Sequence, residues 1–469
     1  MRRQAIGNGS LRARIPAPFA AVMRALQLHE ADSTMLRSLR DDEWRELLPV
    51  MDRAHLALTL AQQDLSGLPS WVREQLGNNL ADTARHWECV QAAYREAAAT
   101  LDTKGVEYLV LKGFTQAPEF VPRPELRRQG DIDFYVPREQ IPAAMNALQE
   151  IGYASCYSDE YYRYHDHAPT LVRFGAWKWN GDMYDPEVPP AVELHFCLWN
   201  DSVSSIAIPE IEEFWDRRRF RKLGDLTFPA LYPVDHVGYL AMHILRNVFI
   251  GESPVHHIRE LAISLDKRAF DDGFWKDWTL MHSKRLRSMQ AIAFSLSGAW
   301  FSGKQHGAVK AEIDSLNPPL RSWIEICGCA PLETLFRRTR DGRLLQSLLV
   351  ETPEARRKII ALALAPGHLA GPAKVASVKA HVTTAPSRSN LIYSYLTYPA
   401  YLLGRVWMNG SAILRFLSHA YLMRLPRVRL RRAWTEDIGD SSAARSGFGL
   451  VENGPKLTEA GSDCGRRLP

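Results

Sequence analysis

The sequence predicts an α/β protein of the α+β kind: a short-strand core with helical segments before and after it. Three observations carry that expectation. Apolar residues recur at helical spacing from about Pro18 to Thr100. Short runs of strand formers bounded by glycine and proline then follow up to about residue 196. From Pro233 to about Leu349 the helical spacing returns. A chain of 469 residues holds two or three packed units.

In the first segment Leu36, Leu39, Trp44, Leu47, Leu48 and Met51 fall on one helical face, as do Val90, Ala93, Tyr94 and Ala97. Gly105 stands where a helix stop is expected. Val106–Leu111 reads as a strand closed by Lys112 and Gly113. Asp131–Val136 reads as a second strand ended by Pro137. An amphipathic helix follows, with Ile141, Met145, Leu148 and Ile151 on one face and Gly152 after it. Leu171–Phe174 and Ala191–Phe196 complete the strands, the latter entered from the turn-rich segment 180–190. The expected boundaries are 1–100 for the N-terminal helical segment, 101–225 for the core, 226–350 for a helical domain and 351–469 for a tail.

Composition narrows the class. Hydrophobic residues make 46% and charged residues 24%, as in soluble globular chains. A net charge of +5 is too slight to argue for nucleic acid. Six scattered cysteines fit a reducing cytoplasm, and the Cys327-x-Cys329 spacing is not the usual zinc or redox motif. They read as small buried hydrophobes. Arg2 and Arg3 are followed by no long apolar run, so a secretory signal is not expected. The most apolar stretch, 391–421, is interrupted by Arg405 and Arg415, so no membrane span is expected either.

Side chains alternate along a strand. Asp131, Asp133 and Tyr135 therefore share one face of the second strand, while Ile132, Phe134 and Val136 share the other. Glu193 and His195 likewise share a face opposite Val192, Leu194 and Phe196. Two carboxylates at i and i+2 can grip one hard cation, and a third on a neighbouring strand can hold another or accept a proton. An isolated DxD is more often a solvated strand face. Its order here, after a strand-ending LKG and before ELH on a third strand, favours chemistry.

That ordered set, Leu111-Lys-Gly113, Leu126-Arg127, Gly130-Asp-Ile-Asp-Phe-Tyr-Val136 and Val192-Glu-Leu-His195, resembles the polymerase-beta-like nucleotidyltransferases of bacteria. The likeness is to the poorly characterised family with an LLKG…LR…GDIDLLV…VELH signature, and it runs from about Pro18 to Leu349. It implies a mixed-sheet nucleotidyltransferase core. It implies that Asp131, Asp133 and Glu193 bind Mg²⁺ or Mn²⁺ and carry catalysis. It also implies that Lys112, Gly113 and Arg127 contact the phosphates of a nucleoside triphosphate. From the strand pattern alone, His195, on the face of Glu193, is expected to orient that carboxylate, to contact substrate or to make a structural hydrogen bond. Two departures stand out: Lys-Gly replaces the superfamily's Gly-Ser, and Ile258-Arg-Glu260 stands where a hydrophobic residue and then Asp are expected.

The other candidates are weaker. The histidines at 165, 167, 236, 243, 256 and 257 lack a partner at zinc-finger spacing. Tyr161, Tyr162, Tyr164, Trp177 and Trp179 read as packing ahead of a base platform. The acceptor is expected to be a small molecule, peptide or protein ahead of RNA. A catalytically inactive scaffold that kept the fold is the competing class. In the tail, Gly367, Gly371 and Pro372 read as linker, and one or two helices are expected between Tyr393 and Arg432. These would dock on the helical domain or give weak peripheral membrane contact. The last thirty or so residues, rich in Gly, Ser and charge, read as disordered. The tail from about residue 353 is expected to be dispensable for the catalytic fold, and the protein to be cytoplasmic.

Overall fold

A computed structural model describes residues 15–155, 166–364 except 174, 176 and 179, and residues 403, 407 and 410–423. These form two compact units, one of residues 15–247 and 254–316, the other of 248–253 and 317–423.

The first unit is built on a mixed seven-stranded sheet. Its strands are β1 (Leu109–Leu111), β2 (Asp131–Tyr135), β3 (Tyr153–Ser155), β4 (Leu171–Arg173), β5 (Ala191–His195), β6 (Arg219–Leu223) and β7 (Leu226–Ala230). They lie in the order β3-β4-β5-β2-β1-β7-β6. β2 runs parallel to β5 and antiparallel to β1, so the acid-bearing strands sit side by side near the middle.

The helix Ser70–Thr103 precedes the sheet and packs on its apolar face. Val90, Ala93, Tyr94, Ala97 and Leu101 meet Ile132, Phe134, Val192, Leu194 and Phe228, and the helix Ile141–Glu150 adds Ala144, Ala147 and Leu148. Tyr94 stacks on Phe134 at 6.2 Å and meets Phe114 edge-on at 5.1 Å. Each such fully buried side chain is worth roughly 1.5–3 kcal/mol. The same alternation that gives this layer its hydrophobic face turns the carboxylates of β2 and β5 to the opposite one.

Five described helices follow within or out of this unit: Pro233–Ile250, Val255–Lys267, Asp272–Met281, Lys284–Phe301 and Gly307–Asp314. The second unit holds the helices Pro318–Cys327, Ala330–Glu333, Asp341–Leu349 and Pro353–Leu364, and residues 410–422 are helical. Among the described residues no helix is long and apolar enough to cross a membrane.

Several differences from the expected elements have local causes. β1 is shorter than Val106–Leu111, because the Glu107 amide donates to the Gln140 side chain at 2.8 Å instead of a strand. Three strands were not anticipated. β3 is only three residues long, and β6 reads Arg-Phe-Arg-Lys-Leu, an exposed edge without an apolar alternation. β7 pairs with β6 across Gly224 and places Ala230 beside Val110. Most of the tyrosine-rich stretch, the expected linker glycines and the last thirty residues lie outside the described residues.

Candidate functional site

The register of the parallel pair β2–β5 sets the site. Asp131 pairs with Ala191, Asp133 with Glu193 and Tyr135 with His195. The antiparallel neighbour β1 brings Leu111 opposite Asp133. Lys112, the next residue, therefore leaves the sheet directly beside the acids.

Asp133 is the hub, with only 3% of its surface exposed. Its Oδ1 accepts from Lys112 Nζ at 3.0 Å and lies 2.8 Å from His195 Nε2. Burial disfavours its charge, but Lys112 and His195 outweigh burial and hold the carboxyl well below its ordinary range. An ionised Oδ1 requires that His195 Nε2 carry the proton. Burial likewise works against the Lys112 charge, and Asp133, Tyr239, Glu193 and Asp166 together more than restore it.

Glu193 behaves differently. Burial, then Asp131 and Asp133, push its carboxyl up to about 8. Thr170 Oγ1 donates to Glu193 Oε1 at 2.9 Å. Asp131 is raised by burial and by Asp133. One cationic lysine thus faces three crowded acids, and the excess negative charge falls on Glu193 and Asp131.

Donor atoms of Asp133, Glu193 and His195 lie within 4.8 Å of one another, a spacing that can hold a metal ion. Asp131 lies outside that set but close enough to push Glu193 up and to be pushed up in turn by Asp133. The set is backed by a second layer. Asp166 Oδ2 lies 3.9 Å from His195 Nδ1, Arg246 bonds Asp166 at 3.0 Å, and His167 Nε2 lies 3.8 Å from Glu193 Oε2.

The Lys112–Gly113 step is strained. Lys112 has φ +48° and Gly113 φ +50°. A side chain is rarely held at positive φ, at a cost of about 1–3 kcal/mol. Here the Lys112 carbonyl accepts from Thr115 N and Oγ1, and its ammonium is fixed on Asp133. At Gly113 a Cβ would stand 2.4 Å from Gln129 Nε2, which itself donates to the Asp131 carbonyl at 2.7 Å. Glycine is required by conformation and by this close approach.

Arg127 sits on the loop before β2 and is paired with Glu260, Nε to Oε1 at 2.6 Å, and His257 Nδ1 lies 2.9 Å from Glu260 Oε2. The glutamate standing where aspartate was expected is thus a buried counter-charge. Of the remaining histidines, His55, His256, His257 and His243 form a row of ring contacts with centroids 3.9–4.9 Å apart. Among the described residues that row contributes to no metal-binding set. Trp177, the one described member of its aromatic stretch, donates to Asp185 at 3.0 Å.

Reasoning from the sequence missed Thr170, Asp166, Arg246, Gln129 and the partnership of Arg127 with Glu260. None carries a local pattern, and each reaches its partner across 23 to 133 residues or through a backbone carbonyl.

No curated protein and no solved structure matches the chain. A family model described as an uncharacterised nucleotidyltransferase matches residues 40–302, more than half of the sequence, and takes in β1, β2, β5 and every residue of the acid site. By that match, over a mixed sheet that sets Asp133 against Glu193, the chain belongs to this family of uncharacterised nucleotidyltransferases.

Proposed function

We propose that the protein transfers a nucleoside monophosphate from a nucleoside triphosphate to an acceptor hydroxyl. The bond from the acceptor oxygen to the α-phosphorus forms, the α–β phosphoanhydride breaks and pyrophosphate leaves. The observation that supports this most is the register that sets Asp133 against Glu193 with Asp131 two residues earlier on the same strand face.

The donor set fits a hard divalent cation. Asp131, Asp133 and Glu193 offer carboxylate oxygens, the ligands that Mg²⁺ or Mn²⁺ takes, and burial together with their mutual repulsion raises Glu193 and Asp131. Those three residues would hold it. When bound, such an ion neutralises triphosphate charge and polarises the phosphoryl group under attack. The rest falls to the chain. Lys112 gives up Asp133 for a phosphate oxygen. Gly113 lets the backbone come close to it. Arg127, held by Glu260 through Nε and bonded through Nη1 to the Arg128 carbonyl, turns Nη2 to phosphate. Glu193, protonated near neutral pH in the empty site and ionised once a bound cation offsets the crowded negative charge, would take the proton of the attacking hydroxyl at Oε2 while Thr170 holds Oε1. His195 orients Asp133 and, from the same strand face, Glu193.

The acceptor is a small molecule, peptide or protein ahead of RNA, because a net charge of +5 forms no dense basic stripe over the core. The protein would work in the cytoplasm, with weak membrane contact through the tail. In support, Leu414, Leu417 and Tyr421 are exposed, and five arginines follow between 424 and 432. One observation favours a second reading, an inactive binding protein: Lys112 and His195 already satisfy the same Asp133 oxygen.

The test is label transfer. The protein is incubated with each α-labelled nucleoside triphosphate, Mg²⁺ or Mn²⁺ and cell lysate. Wild type should label an acceptor and Asp133→Asn should not. Nucleotide binding without transfer in any combination supports the inactive reading, and label on RNA overturns the ranking of acceptors. Absence of nucleotide binding with either metal overturns the proposal.

A further inference from the structure

Outside the family-matched region, the second unit contains a buried set of unlike side chains. Cys327 ends the helix Pro318–Cys327, Asp341 begins the helix Asp341–Leu349, and His419 lies in the helical stretch 410–422. Cys327 and Asp341 are fully buried and His419 is 8% exposed. Cys327 Sγ lies 3.4 Å from His419 Nδ1, and Asp341 Oδ1 lies 2.9 Å from the same nitrogen.

The convergence on one nitrogen is the telling feature. A proton on Nδ1 can bond Asp341. A lone pair on Nδ1 can accept from the thiol. One nitrogen cannot do both at once. A divalent cation can take the lone pair, the thiolate and the carboxylate together. The spacing agrees: with metal–sulfur near 2.3 Å and metal–nitrogen or –oxygen near 2.0–2.1 Å, tetrahedral edges come to about 3.5 Å and about 3.3 Å. All three donor atoms lie within 4.8 Å of one another.

The surroundings are organised around Asp341. Arg415 Nε bonds its Oδ2 at 2.8 Å, leaving Oδ1 turned to His419, and Arg415 also pairs with Glu333. Asp341 is thus held as an anion with one oxygen committed to the arginine and the other to the cluster.

We propose that Cys327, Asp341 and His419 form a transition-metal site, for zinc first, that ties the 410–422 stretch to the helices of the second unit. A thiolate with an imidazole and one carboxylate is a borderline-soft set suited to Zn²⁺ or Co²⁺ and unlike the all-oxygen set preferred by Mg²⁺. Binding releases the Cys327 proton, and the His419 ring keeps its proton on Nε2. The ligands stand 92 and 78 residues apart, so the ion closes long loops and adds stability to this unit. The site is independent of the nucleotidyl-transfer proposal.

The full chain is to be purified without chelator and its metal measured. About one equivalent of zinc per chain is expected at this site, with water in the fourth position beside the three protein ligands. After exchange with Co²⁺, a thiolate-to-cobalt charge-transfer band should appear. The acid site has no thiolate, so Asp133→Asn must keep the band, and Cys327→Ser must lose it. If Cys327→Ser fails to fold, Asp341→Asn and His419→Gln should each weaken Co²⁺ binding at least tenfold, the scale on which ligand shells act on affinity. The wild-type band and a chelator-induced fall in melting temperature need no variant. A wild-type chain without a cobalt–thiolate band overturns the proposal, whatever its zinc content and whatever the fate of nucleotide transfer.

Discussion

At the scale of single residues, the two acids of the β2–β5 pair should respond to neutralisation in opposite ways. Glu193 is pushed up to about 8, so near neutral pH it resembles its own amide. Glu193→Gln should therefore leave the melting temperature unchanged or slightly raised while lowering transfer by about 10²–10³-fold, the size of one lost electrostatic contact in a transition state. Asp133 is held ionised by Lys112 and His195. Asp133→Asn should lose transfer and also destabilise by about 3 kcal/mol, because it strands a buried ammonium. Thermal melts with label-transfer rates decide this, and equal loss of stability in both variants would contradict it. Gly113→Ala drives a Cβ onto Gln129 at positive φ and should cost about 1–3 kcal/mol. Adding Gln129→Ala should recover only the steric part. Full recovery in the double variant would mean that the backbone is not strained.

At the scale of elements, the site strands were legible because the strand period is two residues and the acids alternate with Ile132, Phe134, Val192 and Leu194. That pattern puts carboxylates on one face and the core on the other before any fold is known. What joins the elements was not legible. Glu260 reaches Arg127 from a helix 133 residues away, and no local pattern announces it. Both are largely buried, so Glu260→Gln should destabilise by about 3 kcal/mol, and Arg127→Met with Glu260→Met should restore much of the loss. A denaturant series on the single and double variants measures this, and additive losses would refute the pairing. In the stretch 410–422, Leu414, Leu417 and Tyr421 recur at helical spacing and are 47–70% exposed. Wild type should co-sediment with anionic liposomes in low salt, and Leu414→Glu with Leu417→Glu should abolish this. Retention by that variant would remove the membrane proposal.

At the scale of the whole molecule, the histidines make the fold acid-sensitive. Burial above all holds His236 down to about 3, and His243 and His256 also lie well below their ordinary value of 6.5. The folded chain keeps these rings neutral, while the unfolded chain protonates them below about pH 6.5. Their contribution is complete above that value and is lost as pH falls, by at most about 1.4 kcal/mol per histidine per pH unit. Melting at pH ~5 should come at least about 5 °C below melting at pH ~7.5. A flat profile would show that the rings are hydrated in the fold. The sequence displayed these histidines as a cluster but not their sign. A run of imidazoles reads equally as ligand, proton carrier or packing until burial is known.

The parallel register of β2 and β5 also bears on how the gene can change length. The exposed turn at Gly181 and Asp182 can absorb an inserted or deleted codon, whereas Tyr184 and Asp185 beyond it are buried and tied to Asp52, Trp177 and Asn180. A one-codon change inside Ala191–His195 cannot be absorbed. It would rotate Glu193 and His195 into the hydrophobic layer and bring Val192 and Leu194 out against Asp133. Length variation in this lineage should therefore gather around Gly181 and be absent within Ala191–His195.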